Sequence, residues 1–129
     1  MLRLESGLPY VAATLEGNET VWLMLDTGAA ASVVLWRPFV QAHPNVLTVP
    51  QKRWALASGA GGGNVVMISE VQTLRIFGRE FQNVTTAIQD RPSWMWQHPR
   101  AVGIVGAEIL RNFRVTMRPE SHLIWTEPL

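Results

Sequence analysis

The chain has 129 residues and a net charge of +1, and 47% of its residues are hydrophobic while 16% are charged. This length predicts a single domain over residues 1–129, and the composition excludes a disordered chain. The weak charge, with no basic run interleaved with aromatic residues, gives no support for nucleic-acid binding.

The absence of cysteine and the wide spacing of the histidines exclude further kinds of site. With no cysteine, the protein has no disulfide, no thiolate metal site and no cysteine nucleophile. His43, His98 and His122 lack the spacing of metal ligands, and no Gly-x-Ser-x-Gly elbow of a serine hydrolase is present. We therefore expect no metal and no cofactor.

The hydrophobic residues are spread along the chain rather than collected in one long run. No stretch of about 18 apolar residues occurs, so we expect no membrane span within this chain. The first residues also lack the apolar core of a signal peptide. The compartment stays open, since cytoplasmic, periplasmic and membrane-tethered parent proteins all fit this pattern.

Taken in chain order, short runs rich in Val, Ile, Thr, Leu and Trp are separated by turn residues, which predicts an all-β barrel or sandwich. We predict hairpins from residues 10–15 with 20–25 and from 71–77 with 80–88, a glycine-tipped hairpin from 53–57 with 65–69, and late strands at 114–117 and 122–126. Short helices are predicted at 37–42, where Pro38 suits the first turn, and at 107–112.

Asp26 directly follows the apolar run at residues 21–25 and is followed by Thr27 and Gly28. A carboxylate just past a buried strand, on a turn whose glycine lets other backbone approach, is held where it can do chemistry. The same tripeptide is also typical of an ordinary turn at the end of a strand.

A second motif lies about 80 residues downstream, where Ile104 and Val105 precede Gly106 and a predicted helix. A glycine here suits a backbone crossing with no room for a Cβ. By itself, this pattern also fits a buried strand that leads into a helix in any α+β protein.

Together the two motifs resemble those of the single-domain, retropepsin-like aspartic proteases. The C-terminal part, with Glu108 two residues after the glycine, is more similar to the bacterial members than to the retroviral ones. The resemblance implies an all-β fold, a closed barrel like one pepsin lobe with one or two short helices. It implies Asp26 as the catalytic residue, Thr27, Gly28 and Ala29 as support for the active-site loop, and Ile104, Val105 and Gly106 as an element beneath that loop.

The number of aspartates bears on how such a site would be completed. Aspartic proteases use two carboxylates that share one proton, and this chain has only Asp26 and Asp90. Asp90 has no Thr-Gly after it and is interpreted as a loop residue. We therefore expect a homodimer in which Asp26 of each subunit activates water to cleave a peptide or protein substrate.

A catalytically inactive peptide-binding or dimerisation module on the same fold is the alternative function. It is favoured by Ala30, because this family commonly carries Asp, Ser or Thr at that position. Three roles also remain open for the cluster of Trp94, Met95 and Trp96: an apolar substrate pocket, a dimer contact or a membrane-surface anchor.

A glycine cluster lies between the two motifs, where the family carries its flap. It consists of Gly59, Ala60, Gly61, Gly62 and Gly63. Glycines would let a hairpin tip open and then close over a substrate, excluding water. An ordinary flexible surface loop is the alternative for this cluster.

Overall fold

A computed structural model describes the chain except for residues 1, 6–7, 17–18, 27, 30, 48–52, 60–61, 91–99, 119–122 and 129. The described part contains strands β1 (Leu2–Glu5), β2 (Leu8–Leu15), β3 (Glu19–Leu25), β4 (Val33–Trp36), β5 (Arg53–Gly59), β6 (Gly62–Ile76), β7 (Arg79–Gln89), β8 (Ala101–Val105), β9 (Phe113–Arg118) and β10 (Leu123–Pro128). It also contains helices α1 (Arg37–Ala42) and α2 (Ala107–Leu110), and one turn of 3-10 helix at Pro44–Val46.

Six of the strands close into a barrel. They follow the order β2-β3-β8-β4-β7-β6, and β6 pairs again with β2 through Thr14 with Arg75 and Leu15 with Leu74. Strand β1 extends the sheet beyond β2, and β5 extends it beyond β6. The prediction of an all-β, closed barrel with short helices is confirmed.

Strand β8 lies between β3 and β4, although it follows them in the chain by many residues. It runs parallel to β3, where Leu25 is opposite Val105, and antiparallel to β4, where Val33 is opposite Val105. The segment that carries Asp26 therefore leaves β3 on one side of β8 and enters β4 on the other side.

The predicted hairpins are present, with one difference in how they are divided. Strand β6 runs unbroken from Gly62 to Ile76, so the separately predicted strands at 65–69 and 71–77 form one element. It stays continuous because β5 pairs with its first half and β7 with its second half. The β6–β7 turn uses Gly78, whose φ of +74° suits glycine.

The two short helices differ in how closely they follow the sequence pattern. Helix α1 has the predicted bounds and carries its proline in the first turn. Helix α2 was predicted to reach residue 112 but ends at Leu110. The Asn112 side chain donates to the carbonyls of Glu108 and Ile109, which satisfies acceptors at the helix end before β9 begins.

Alternation along the strands divides the apolar side chains into two groups. One group fills the barrel, with Leu15, Leu23, Leu35, Leu74 and Val105 fully buried. The second group lies on the opposite face of the barrel sheet and is also buried; it is here called the outer apolar layer. It consists of Tyr10, Met24, Val34, Trp36, Ala87, Ala101 and Ile104, with Trp22, Ala29, Ala31 and Ile68 packed against it.

Strands β9 and β10 form a separate two-stranded sheet. Its attachment to the barrel begins at Phe113, whose ring meets Phe77 edge-on at 5.1 Å and Phe81 at 6.1 Å between centroids. Within the described residues, the helices are too short and too polar for any of them to cross a membrane.

Candidate active site

Backbone atoms of its own turn hold the Asp26 carboxylate. The Asp26 amide donates to the Val105 carbonyl at 3.0 Å, which ties the residue to the end of β8. The Ala29 amide then donates to the Asp26 carbonyl at 3.2 Å, and the Gly28 amide donates to Asp26 Oδ1 at 2.9 Å. The side chain is half-buried, so the carboxylate has a fixed position and remains open to solvent on one side.

Gly28 leaves little room beside this carboxylate. A Cβ at Gly28 would lie 3.3 Å from Asp26 Oδ1, which is tighter than ordinary van der Waals contact. The residue is itself exposed, so its backbone is open to an incoming chain. A glycine here therefore lets another backbone approach the carboxylate closely.

The end of β8 passes directly against the Asp26 segment. The Gly106 amide donates to the Ser32 carbonyl at 2.9 Å, and the Ala107 amide donates to the Ala29 carbonyl at 2.8 Å. A Cβ at Gly106 would lie 2.1 Å from the Ala31 carbonyl oxygen and 2.7 Å from that of Ala29. The two sequence motifs thus form one hydrogen-bonded unit that only glycine permits at this crossing.

The residues before Gly106 point to opposite sides of the barrel wall. Val105 is fully buried inside the barrel, whereas Ile104 belongs to the outer apolar layer together with Ala29 and Ala31. Of the predicted site residues, the structure brings together Asp26, Gly28, Ala29, Val105 and Gly106. Thr27, Ala30, Ala60, Gly61, Trp94, Met95 and Trp96 lie outside the described residues.

The glycine cluster lies at the end of a hairpin. Strands β5 and β6 pair in antiparallel register up to Ser58 with Gly63 and Gly59 with Gly62, and two residues separate the last pair. This hairpin extends the sheet beyond the β2–β6 pairing that closes the barrel. Its role as a flap stays a prediction.

A cavity of about 270 Å³, here called the side pocket, lies beside the same loop. It is lined by Ala31, Ser32, Ile68, Thr85, Ala87 and Glu108. Sequence reasoning did not find this pocket, because its walls come from four separate stretches of chain. One local feature of the sequence points to the pocket. Thr86 is fully buried, so strand alternation places its neighbours Thr85 and Ala87 together on the opposite face, where both line the pocket.

The second aspartate lies away from this unit. Strands β4 and β7 run parallel from the pair Val33 and Thr86 to the pair Trp36 and Gln89, so Asp90 follows their far end. Its carboxylate accepts from Arg37 Nε at 2.8 Å and is 84% exposed. An exposed residue in an ion pair at the other end of these strands cannot share a proton with Asp26 of the same subunit.

A family model described as aspartyl protease matches residues 11–109, a span that includes both the Asp26 turn and the Gly106 crossing. The chain belongs to the aspartyl protease family. Within the family, the predicted resemblance to the retropepsin-like members is confirmed.

A solved structure is similar to this aspartyl protease chain over nearly its whole length. It is the crystal structure of a retropepsin-like aspartic protease from Rickettsia conorii, with a TM-score of 0.60 and 19% sequence identity. The match covers 90% of this chain and 88% of the rickettsial chain, and at this identity it shows a shared fold. Among curated proteins, no relative matches this sequence.

Proposed function

We propose that the protein is an aspartic endopeptidase that works as a homodimer, with one Asp26 carboxylate from each subunit. The observation that carries this proposal is the fixed Asp26 carboxylate, held by the Gly28 amide at 2.9 Å and tied to β8 through Val105. Because a backbone amide orients this carboxylate, its other oxygen can exchange a proton with a substrate water.

The need for a second subunit follows from the number of aspartates in this chain. Asp90 is engaged with Arg37 at the far end of β4 and β7, so one subunit supplies only one aspartate to the site. Two copies related by a two-fold axis would place the same residue on both sides of a substrate. Two carboxylates at such a short distance cannot both be ionised, so they share one proton.

In the proposed reaction, the ionised Asp26 takes a proton from a water molecule while the protonated one donates a hydrogen bond to the scissile carbonyl. The water oxygen bonds to the carbonyl carbon as the carbonyl oxygen takes the proton of the protonated Asp26. The Asp26 that took the water proton then passes it to the amide nitrogen, the carbon–nitrogen bond breaks, and a hydroxyl proton of the new carboxyl group returns to the dyad. Gly28 lets the substrate backbone approach, and the β5–β6 hairpin closes over it as a flap. Thr27 and Ala29 support the loop, and Ile104, Val105 and Gly106 hold it from beneath.

The direct test replaces Asp26 by asparagine, which keeps the shape but removes the group that takes the proton. We expect Asp26→Asn to lower peptide cleavage by at least about 100-fold while folding and oligomeric state are unchanged. The matched control is Asp90→Asn, which removes the other aspartate and an exposed ion pair worth at most about 1 kcal/mol. Cleavage that persists in purified Asp26→Asn protein would refute the proposed catalytic role.

The dimer is tested by mixing the subunits. Wild-type and Asp26→Asn chains are unfolded together in equal amounts and refolded, so that they pair at random. Because mixed dimers carry only one Asp26, about half of the activity of the wild-type chains should be lost. Undiminished activity, or an active species that sediments as a monomer, would contradict the shared dyad. Peptide binding without cleavage by the wild type would favour the inactive peptide-binding module instead.

A further inference from the structure

The side pocket joins the catalytic loop to the strand that carries the glycine-tipped hairpin. Ala31 and Ser32 belong to the segment that begins at Asp26, while Ile68 lies on β6, the strand that starts at Gly62. Ile68 is opposite Ala87 in the β6–β7 register, so both side chains lie on the outer face of the barrel. If this hairpin covers the substrate as proposed, a peptide held between it and Asp26 lies along the same two elements that line the side pocket.

The size of the side pocket suits one amino-acid side chain. Its volume of about 270 Å³ lies just below the roughly 300–1,000 Å³ that is typical of pockets for whole small molecules. Small residues create the space, since Ala31 and Ala87 present only methyl groups toward it. A larger side chain at Ala87 would fill part of the cavity.

The lining of the side pocket is apolar, with polar groups at a few points. Methyl and methylene groups of Ala31, Ile68 and Ala87 offer contact to an aliphatic stem. Ser32 and Thr85 add hydroxyl groups, and Glu108 adds a carboxylate. Among the described residues, no cationic side chain lines the cavity.

The Glu108 carboxylate is partly available to a ligand. Its Oε1 accepts from Arg111 Nη2 at 2.8 Å, in a pair whose side chains are 48% and 70% exposed. Among the described residues Oε2 has no partner. An ion pair this exposed contributes little, so a cationic group in the side pocket could share the carboxylate or displace Arg111 at small cost.

We infer that the side pocket is a specificity site that takes a substrate side chain with an aliphatic stem and a cationic end, lysine or arginine. This inference rests on the proposed endopeptidase function and names the substrate residue that the same site prefers. The stem packs against the two alanines and Ile68, and the ammonium or guanidinium group donates to Glu108 Oε2.

The test compares peptides that differ at one residue only, which is lysine, norleucine or glutamate, placed in turn at each position around the cleaved bond. Lysine and norleucine share the same stem length, so their ratio of kcat/KM isolates the charge. At one position, we expect the wild type to favour lysine over norleucine by about two- to five-fold, as an exposed ion pair allows. Glutamate should be the poorest of the three.

Two variants and one control separate charge from folding. Glu108→Gln should bring the lysine-to-norleucine ratio to about one, and Thr85→Lys, at an exposed position of β7, should shift the preference toward glutamate. Glu80→Gln is the control, because Glu80 is also about half exposed and paired with an arginine, Arg75, but does not line the side pocket. It should leave the lysine preference unchanged.

The outcomes distinguish this inference from the function on which it rests. If the wild type cleaves none of the peptides, the proposed function fails and the inference falls with it. If the wild type cleaves them without preferring lysine at any position, the inference alone is overturned. The same holds if the preference survives in Glu108→Gln.

Discussion

At the scale of single residues, the Asp26 site is built from backbone hydrogen bonds and small side chains. The amides of Gly28 and Ala29 bond within the turn, while Gly106 and Ala107 bond across from the end of β8. Such an arrangement depends on how closely backbones approach one another. Only glycine fits at the crossing, because a Cβ there would overlap the backbone of the Asp26 loop. Among the described residues, the carboxylate is positioned by a backbone amide and not by a charged side chain.

We expect Gly106→Ala to distort the loop that holds Asp26. The added Cβ would lie 2.1 Å from the Ala31 carbonyl oxygen, so the loop has to move, at a cost of about 1–3 kcal/mol in unfolding free energy. Denaturant unfolding gives the stability change, and the cleavage rate under conditions where the protein stays folded gives the functional one.

Gly78→Ala is the matched control for this substitution. Gly78 has a φ of +74° but open space around its Cβ position, so alanine costs about 1–2 kcal/mol through backbone strain alone. Cleavage should drop sharply in Gly106→Ala and stay near the wild-type rate in Gly78→Ala. Equal losses of activity in the two variants would mean that stability rather than positioning explains the effect.

At the scale of elements, the 15-residue strand β6 has two roles. From Met67 to Ile76 it pairs with β7 in the barrel wall, and from Gly62 to Ile68 it pairs with β5 in the projecting hairpin. The barrel half is anchored by fully buried side chains such as Val71 and Leu74. Residues Gly62–Val66 pair with β5 but lie beyond the pairing with β7, so we expect this half to open at a lower free-energy cost than the barrel half.

If the hairpin is the flap, binding of a non-cleavable peptide with a hydroxyl isostere should slow amide hydrogen exchange at Gly59, Gly62 and Gly63. The reason is that closure buries backbone that is otherwise easily opened. Replacing Gly61 and Gly62 by valine should reduce turnover more than it reduces stability, because valine restricts the backbone changes that closure needs.

The turn at Phe77 and Gly78 provides an internal reference in the same exchange experiment, since it joins β6 to β7 outside the proposed cleft. Its exchange should not respond to the inhibitor. An unchanged exchange pattern at the glycine cluster, together with full activity of the double valine variant, would make this hairpin an ordinary surface loop.

At the scale of the whole molecule, the barrel closes through a short seam. Strands β2 and β6 pair at only two positions, but the turn after β2 lengthens the seam. The Glu16 amide donates to the Thr73 carbonyl at 3.0 Å, and Glu16 Oε1 accepts from the Gln72 amide at 2.6 Å. Glu16 itself has a φ of +51°, a conformation held by these contacts on both its backbone and its side chain.

We expect Glu16→Ala to destabilise the barrel by about 1–2 kcal/mol, because the Gln72 amide loses a charged acceptor. Glu16→Gln keeps an oxygen at the same place and should recover part of that loss. Glu80→Ala, which removes an exposed pair with Arg75 at 3.4 Å, should cost less than about 0.5 kcal/mol. Denaturant unfolding of the three variants measures these differences, and an equal cost for Glu16→Ala and Glu80→Ala would show that the seam does not depend on this contact.

Local sequence determined the elements whose signals lie within a few residues. Alternating apolar residues and tight turns predicted the two long hairpins, and Pro38 marked the start of α1 at its observed bounds. The same kind of local information placed Asp26 just past a strand and predicted a backbone crossing at Gly106 with no room for a Cβ. Where a boundary depended on competing contacts, as at Asn112 after α2, local pattern extended the helix too far.

The tertiary structure decided which of these elements meet. The insertion of β8 between β3 and β4 joins Val105 to Asp26, and the parallel pairing of β4 with β7 carries Asp90 to the far end. The side pocket likewise exists only because β6, β7, α2 and the Asp26 loop converge. Strand order and register result from burying one shared core across long stretches of chain, a condition that no local run of residues encodes by itself.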